Sequence, residues 1–328
     1  YEKFTLMDQE DPYLKVCQLK GNVSSRARRY TDMYFFKYTK SVHHEQMGNA
    51  EVSLAFQTNS QLKSIQKIDN PNIWVFFPTK DQTALPCLLH GSFETAVSRE
   101  KLMRPYSFND ALLDAATELF AEAVLDFKKR NLITQSFIRQ ILITAFGDST
   151  LPKLKKAITE LFKTHALIPI NGEKLVLPEE AQVAVPFDLF DLSGNELLKD
   201  SFDYTKEYVT LNDERSAGFI EYYAWLRDAL GVKRYSIAEW ANSLKDSFGR
   251  KEEKADYDQM QNLYAFLDEY RLPEYTKEAK TNRKKSIYEE DVQAFVRQAW
   301  VNLKKARILI NAENDYIAAY KDDTEQVY

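Results

Sequence analysis

Apolar and polar positions follow two different periods along this chain, and the period changes after residue 108. Between 51 and 58, Val52, Leu54 and Phe56 fall on one side and Glu51, Ser53 and Ala55 on the other. That period of two is the pattern of a half-buried strand. Two shorter apolar runs, 73–77 and 85–89, have the length and the β-branched or aromatic content of buried strands. An aromatic strand is predicted over 34–38, and a broken alternation through Leu62, Ile65 and Ile68 predicts another over 61–68. This makes a sheet of four or five strands, and their spacing up to residue 90 predicts antiparallel meander pairing. Residues 1–30 are polar with scattered apolar positions. Arg26, Arg28 and Arg29 there read as a solvated turn, or alternatively as a contact for phosphate or an acidic partner.

From 109 to 130 the period lengthens to that of a helix. Leu112, Ala116, Leu119, Ala123 and Val124 form an apolar stripe with Phe120 and Phe127 beside it, wide enough to lie on a sheet. Ser107 or Asn109 can cap the start, and Lys128, Lys129 and Arg130 suit the C-terminal end of the helix dipole. Further helices are predicted over 134–146, 152–163, 214–230, 237–248, 257–270 and 289–303. Apolar runs on either side of Asn171-Gly172 signal a hairpin, and 307–310 with 316–320 read as a final one. Residues 186–201 read as a connector. The expected fold class is α+β: an antiparallel-rich mixed sheet covered by helices, then mainly helical segments with small hairpins in a winged-helix-like order. The expected domains are 1–130 (α/β), 131–200 (helices plus hairpin) and 201–328 (helical with a terminal hairpin).

Composition narrows the chemistry. A length of 328 residues favours two or three domains. Only 9 glycines argue against Gly-rich nucleotide loops, and no GxxxxGK[ST], GxGxxG, HExxH or GxSxG is present. A net charge of −5 gives no global attraction to nucleic acid or anionic membrane. Two cysteines, Cys17 and Cys87, make no disulfide framework, and no apolar run is long enough to span a bilayer, so the cytoplasm is the default compartment. The chain begins at Tyr1, not Met, which is expected of a fragment with a domain upstream. His43-His44 lack partners at ligand spacing, so no metal site is expected. Lys153, Lys155, Lys156 and Lys163 make one helix basic. They read first as the solvated face of an amphipathic helix, and second as an anion or nucleic-acid contact.

The polar loop over 92–104 carries Ser98-Arg99-Glu100 just before the long helix. A strand–loop–helix with an Arg at the turn suits a guanidinium that must reach a phosphate. Here the chain resembles the middle segment of the Hsp90-like ATPases, in particular their sacsin-like bacterial branch. The resemblance rests on Phe76-Phe77-Pro78-Thr79, the run 85–90, Phe93 and Ser98-Arg99-Glu100-Lys101-Leu102, with Met103 where that family has Gln. It is closest over 60–150, and the run around Asn171-Gly172 resembles the same branch. It implies a Hsp90-middle-like fold for 1–130 and a catalytic role for Arg99, with Ser98, Glu100, Leu102 and Met103 as the supporting loop. Arg99 would reach the γ-phosphate of ATP bound, with Mg, by an N-terminal ATPase domain of the same polypeptide. Glu100 would be structural, paired with Lys101 or Arg104. Protein clients and a homodimer are implied partners. The helix and the Asp-x-Gly-x-Gly turn of that family's nucleotide pocket do not occur here, so no hydrolysis is expected of this chain alone. A non-catalytic adaptor, presenting its many Tyr and Phe to a partner, is the alternative from a different class.

Overall fold

The computed structural model describes residues 3–8, 10–23, 27–45, 48–104, 106–170, 174–185, 207–209, 218–247, 261, 264, 286–305, 309–310 and 316–317. The class is α+β. The chain divides into two compact units, Tyr1–Pro169 with Arg215–Tyr222, and Ile170–Glu214 with Tyr223–Tyr328.

The first unit holds a seven-stranded sheet. Its strands are β1 (Lys3–Asp8), β2 (Leu14–Val23), β3 (Ala27–His44), β4 (Gly48–Thr58), β5 (Asn72–Trp74), β6 (Pro78–Gln82) and β7 (Leu88–Gly91), in the order β1-β2-β3-β4-β7-β5-β6. Residues 1–30 therefore contribute strands, and Arg28 and Arg29 lie in β3, not in a turn. Short alternations are present over 1–30, as Phe4 with Leu6 and Leu14 with Val16. β3 is 18 residues long and absorbs both the 34–38 prediction and His43-His44, expected in a loop. The meander fails at one point: β5 runs parallel to β7.

Three predicted strands move or disappear. The 73–77 run stops at Trp74, which pairs with Pro78. Proline has no N–H to extend the ladder, so the chain reverses there and leaves Phe76 and Phe77 at 87% and 80% exposure. The 85–89 strand is shifted to Leu88–Gly91, because Pro86 cannot donate; Leu85 and Cys87 are nonetheless fully buried. Burial pushes the Cys87 thiol pKa up, leaving it an inert core group. Residues 61–68 form no strand, only an isolated bridge between Thr58 and Ile65, with Leu62 at φ +56°.

One helix covers this sheet. α1 (Ser107–Lys129) packs on β3 and β4 through the predicted stripe. Phe56, on β4, meets Phe120 and Phe127 at centroid separations of 5.2 and 5.1 Å, and Phe127 meets Phe137 at 5.6 Å. The helix ends in a Schellman motif: Leu132 N–H donates to the Phe127 carbonyl and Asn131 N–H to that of Lys128, with Asn131 at φ +57°. Arg130 is its C-cap and holds Asp126 at 2.5 Å and Asp11 at 2.5 Å. Its guanidinium also lies 4.7 Å from the centre of the Phe36 ring. A π-helix (Phe137–Leu142) running into α2 (Ile143–Ala145), then α3 (Leu154–Thr164), occupy the places of the next two predicted helices. Gly218 fits against this layer at φ +77°, where an added Cβ would stand 2.6 Å from the Arg139 carbonyl oxygen.

Strands β8 (Ile168–Pro169) and β9 (Leu175–Val176) flank the Asn-Gly position. The second unit was expected to be helical with hairpins, and it also contains a parallel sheet. β10 (Ala181–Val185) lies between β11 (Glu207–Val209) and β12 (Lys233–Ser236). α4 (Phe219–Ala224) continues as a π-helix (Trp225–Ala229) towards Gly231 at φ +68°, one residue past the end of the helix predicted over 214–230. α5 (Ile237–Ser247) opens with a capping box: Ser236 N–H donates to Glu239 Oε2 at 2.7 Å, and Glu239 N–H to Ser236 Oγ at 3.3 Å. α6 (Ile287–Lys305) packs against α5. The final hairpin exists as β13 (Leu309–Ile310) paired with β14 (Tyr316–Ile317). The predicted connector over 186–201 and most of the helix predicted over 257–270 lie outside the described residues.

Candidate functional site

The loop between β7 and α1 is a small tethered hairpin. Thr95 and Leu102 form an antiparallel bridge, Met103 N–H donates to the Glu94 carbonyl at 3.0 Å, and Ala96 N–H to that of Lys101 at 2.9 Å. At its tip Arg99 N–H returns to the Ala96 carbonyl at 2.7 Å. Arg99 sits at φ +57° and is exposed. A side chain in the left-handed region costs roughly 1–2 kcal/mol, so the turn persists only because its surroundings fix it.

Two sets of contacts do that. Asn109, fully buried in the first turn of α1, accepts from Glu94 N–H at 2.8 Å and donates to the carbonyls of Glu94 and Met103 at 2.8 and 2.9 Å. Neither predicted cap is used: Tyr106 stands at the N-cap without a side-chain bond, and Asn109 clamps the base of the loop. Its signal was its place on the Leu112–Ala116 stripe, because a polar residue on a buried face must find partners. The second set comes from β6. Lys80 N–H donates to the Glu100 carbonyl at 2.6 Å, and Leu102 N–H to Asp81 Oδ2 at 2.7 Å. Glu100 pairs with Lys80 Nζ at 2.5 Å, not with Lys101 or Arg104. Strand β6, unseen in the sequence, brings that lysine alongside.

The residues of the supporting loop thus divide. Leu102 is buried, Ser98 Oγ accepts the Glu100 N–H at 3.4 Å, and Met103 is 41% exposed. Val97, two residues before Arg99, is fully exposed.

The basic helix behaves as a solvated face. Leu154, Ile158 and Phe162 are its buried residues. Lys153 pairs with Asp114 at 2.7 Å and Lys163 with Glu160 at 3.1 Å, while Lys155 and Lys156 are exposed. His43 bonds Asn49 through Nδ1 at 2.8 Å, and His44 lies edge-on to Phe108. Among the described residues no cluster of His, Cys, Asp or Glu could hold a metal ion, and no helix is long and apolar enough to cross a membrane. No protein-family model, no curated protein and no solved structure matches this chain.

Proposed function

We propose that this chain is the middle and C-terminal part of an Hsp90-like, sacsin-like ATPase, and that Arg99 is its catalytic arm. The observation that supports this most is the placement of Arg99: an exposed guanidinium on a left-handed turn pinned from both sides. An exposed cation on a fixed turn suits a phosphate brought to it by a docked domain. The chain's contribution to an ATP site is that one cation. Glu100 is engaged by Lys80 and is a structural partner, not a base. ATP and Mg would be held by a nucleotide-binding domain of the full-length protein. Arg99 would stabilise charge developing on the γ-phosphoryl group, and docking of the two domains would gate the reaction. The compartment is then the cytoplasm, with protein clients as partners.

The test is ATP turnover by the natural full-length protein beside its Arg99→Ala variant. A fall of a hundredfold or more, about 3 kcal/mol of transition-state stabilisation, with nucleotide affinity kept, is expected. Unchanged turnover overturns the role of Arg99. The second reading, an adaptor module without catalysis, is favoured by the exposure of Phe76 and Phe77 themselves. In that case Phe77→Ser abolishes partner binding while Arg99→Ala leaves it intact.

A further inference from the structure

The second unit contains a cleft that the Arg99 reading does not use. It runs along β12, has a volume of about 810 Å³, and is bounded by Gln182, Lys233, Arg234, Ser236, Phe295 and Gln298. That volume lies in the usual range for small-molecule sites. We propose that it binds a small organic phosphate of mononucleotide size, whose own N–H or O–H donates to Gln182.

Three observations meet there. Gln182, on the central strand β10, is 5% exposed, and its Oε1 has no hydrogen-bond partner. A buried acceptor at a cleft wall calls for a donor, because native proteins pair nearly all such atoms. Glu239 is the carboxylate that lines the cleft, and it is engaged, as are Asp291 and Asp228, which pair with the cleft arginines. Asp291 accepts from Arg227 at 3.0 Å, Arg234 at 2.9 Å and Tyr223 Oη at 2.6 Å. Asp228 holds Arg227 at 2.6 Å, and Glu239 bonds the Ser236 N–H. Lys233, by contrast, is exposed, and one Nη1 contact to Asp291 leaves Arg234 further donors. The guanidinium of Arg234 is steadied over the Phe295 ring, 5.3 Å from its centre. Finally, the capped N-terminus of α5, an 11-residue helix, opens onto the same cleft at Ser236 and Ala238. A helix start adds partial positive charge, which the Glu239 carboxylate of its own capping box partly offsets. Asp291 fixes two guanidiniums in advance, so the cleft need not reorganise to receive a phosphate.

The test uses the 328-residue chain and titrates AMP, adenosine and inorganic phosphate by calorimetry. AMP is expected to bind saturably, and more tightly than adenosine or phosphate by tenfold or more. Lys233→Glu, at an exposed position, is expected to weaken AMP by at least tenfold with the melting temperature unchanged. Gln182→Met is expected to weaken AMP and leave the weak phosphate affinity as it was. If Gln182→Met fails to fold, an AMP-induced shift of the Gln182 side-chain amide resonances takes its place. Three results overturn the proposal: no saturable binding of AMP, AMP binding unmoved by Lys233→Glu, or phosphate binding as tightly as AMP, which marks an adventitious ion only. None of these depends on the role of Arg99, which lies in the other unit.

Discussion

Replacing Arg99 by glycine separates the conformation of the turn from the chemistry of its side chain. At φ +57° the backbone of Arg99 carries a left-handed penalty of roughly 1–2 kcal/mol that glycine does not. Glycine gives back about 0.5–1 kcal/mol through the greater freedom of its unfolded chain. The side chain is exposed and no ion pair engages it among the described residues, so its removal is worth at most about 0.5 kcal/mol. The balance predicts that Arg99→Gly is more stable than the parent by on the order of 0.5–1 kcal/mol. Arg99→Ala keeps the penalty and should match the parent within about 0.5 kcal/mol. Because the chain holds two units, global melting mixes them. Hydrogen exchange of the α1 amides reports on the unit that carries Arg99. Slower exchange in the glycine variant, with the alanine variant unchanged, is the expected pattern. A glycine variant destabilised by more than about 1 kcal/mol would mean that the guanidinium holds the fold together, and the proposed arm would be a structural strut.

Other perturbations test the frame around it. Asn109→Ala removes the partner of the Glu94 N–H and of the Met103 carbonyl, while the Glu94 carbonyl keeps the Met103 N–H; a loss of roughly 1–3 kcal/mol is expected, with exchange at Ala96 and Met103 rising more than in α1. Gly218→Ala meets both a left-handed backbone and the Arg139 carbonyl 2.6 Å away; a loss of about 2 kcal/mol or more is expected in urea unfolding. The hydrogen bond from Arg130 holds the Asp11 carboxyl below its usual range despite partial burial. Its stabilising contribution is therefore complete above the unfolded carboxylate value of about 4 and is lost as pH falls through the lower folded value. Melting temperature measured downward from neutral pH should show that acid loss, and Asp11→Asn should flatten it.

The sequence disclosed what side-chain periodicity controls. The α1 stripe and the β4 alternation are buried as expected, because both faces are defined by apolar residues at fixed spacing. It misled where an apolar run met a proline. Phe76 and Phe77 read as core, yet Pro78 ends the ladder and turns them outward. It was silent where backbone pairing alone builds the element. β1 and β2 alternate only over short stretches, as at Leu14 and Val16, and the parallel strands β10 and β12 are short segments whose partners lie far away in sequence. At the candidate site, Arg99 was visible as a motif, whereas its supports were not. Lys80 and Asp81 come from a strand that the apolar pattern did not mark, and Asn109 resembled a cap. A cap and a clamp use the same side-chain groups, and only tertiary placement distinguishes them.

The exposed pair Phe76 and Phe77 bears on how a docked contact could work. Burying a phenylalanine removes roughly 150–250 Å², so two that are 87% and 80% exposed offer on the order of 250–400 Å². At about 25 cal/mol per Å² that is a gross gain of roughly 6–10 kcal/mol, an upper limit because some area would stay wet. Bringing two separate molecules together costs an estimated 4–15 kcal/mol. The gain falls inside the range of the cost, so this pair alone gives a free partner little or no net affinity over most of that range. It is large enough to close and reopen a contact between domains of one polypeptide, where the linker supplies a high effective concentration. A contact balanced in this way is what a gating step needs, since one that never opened could not release product.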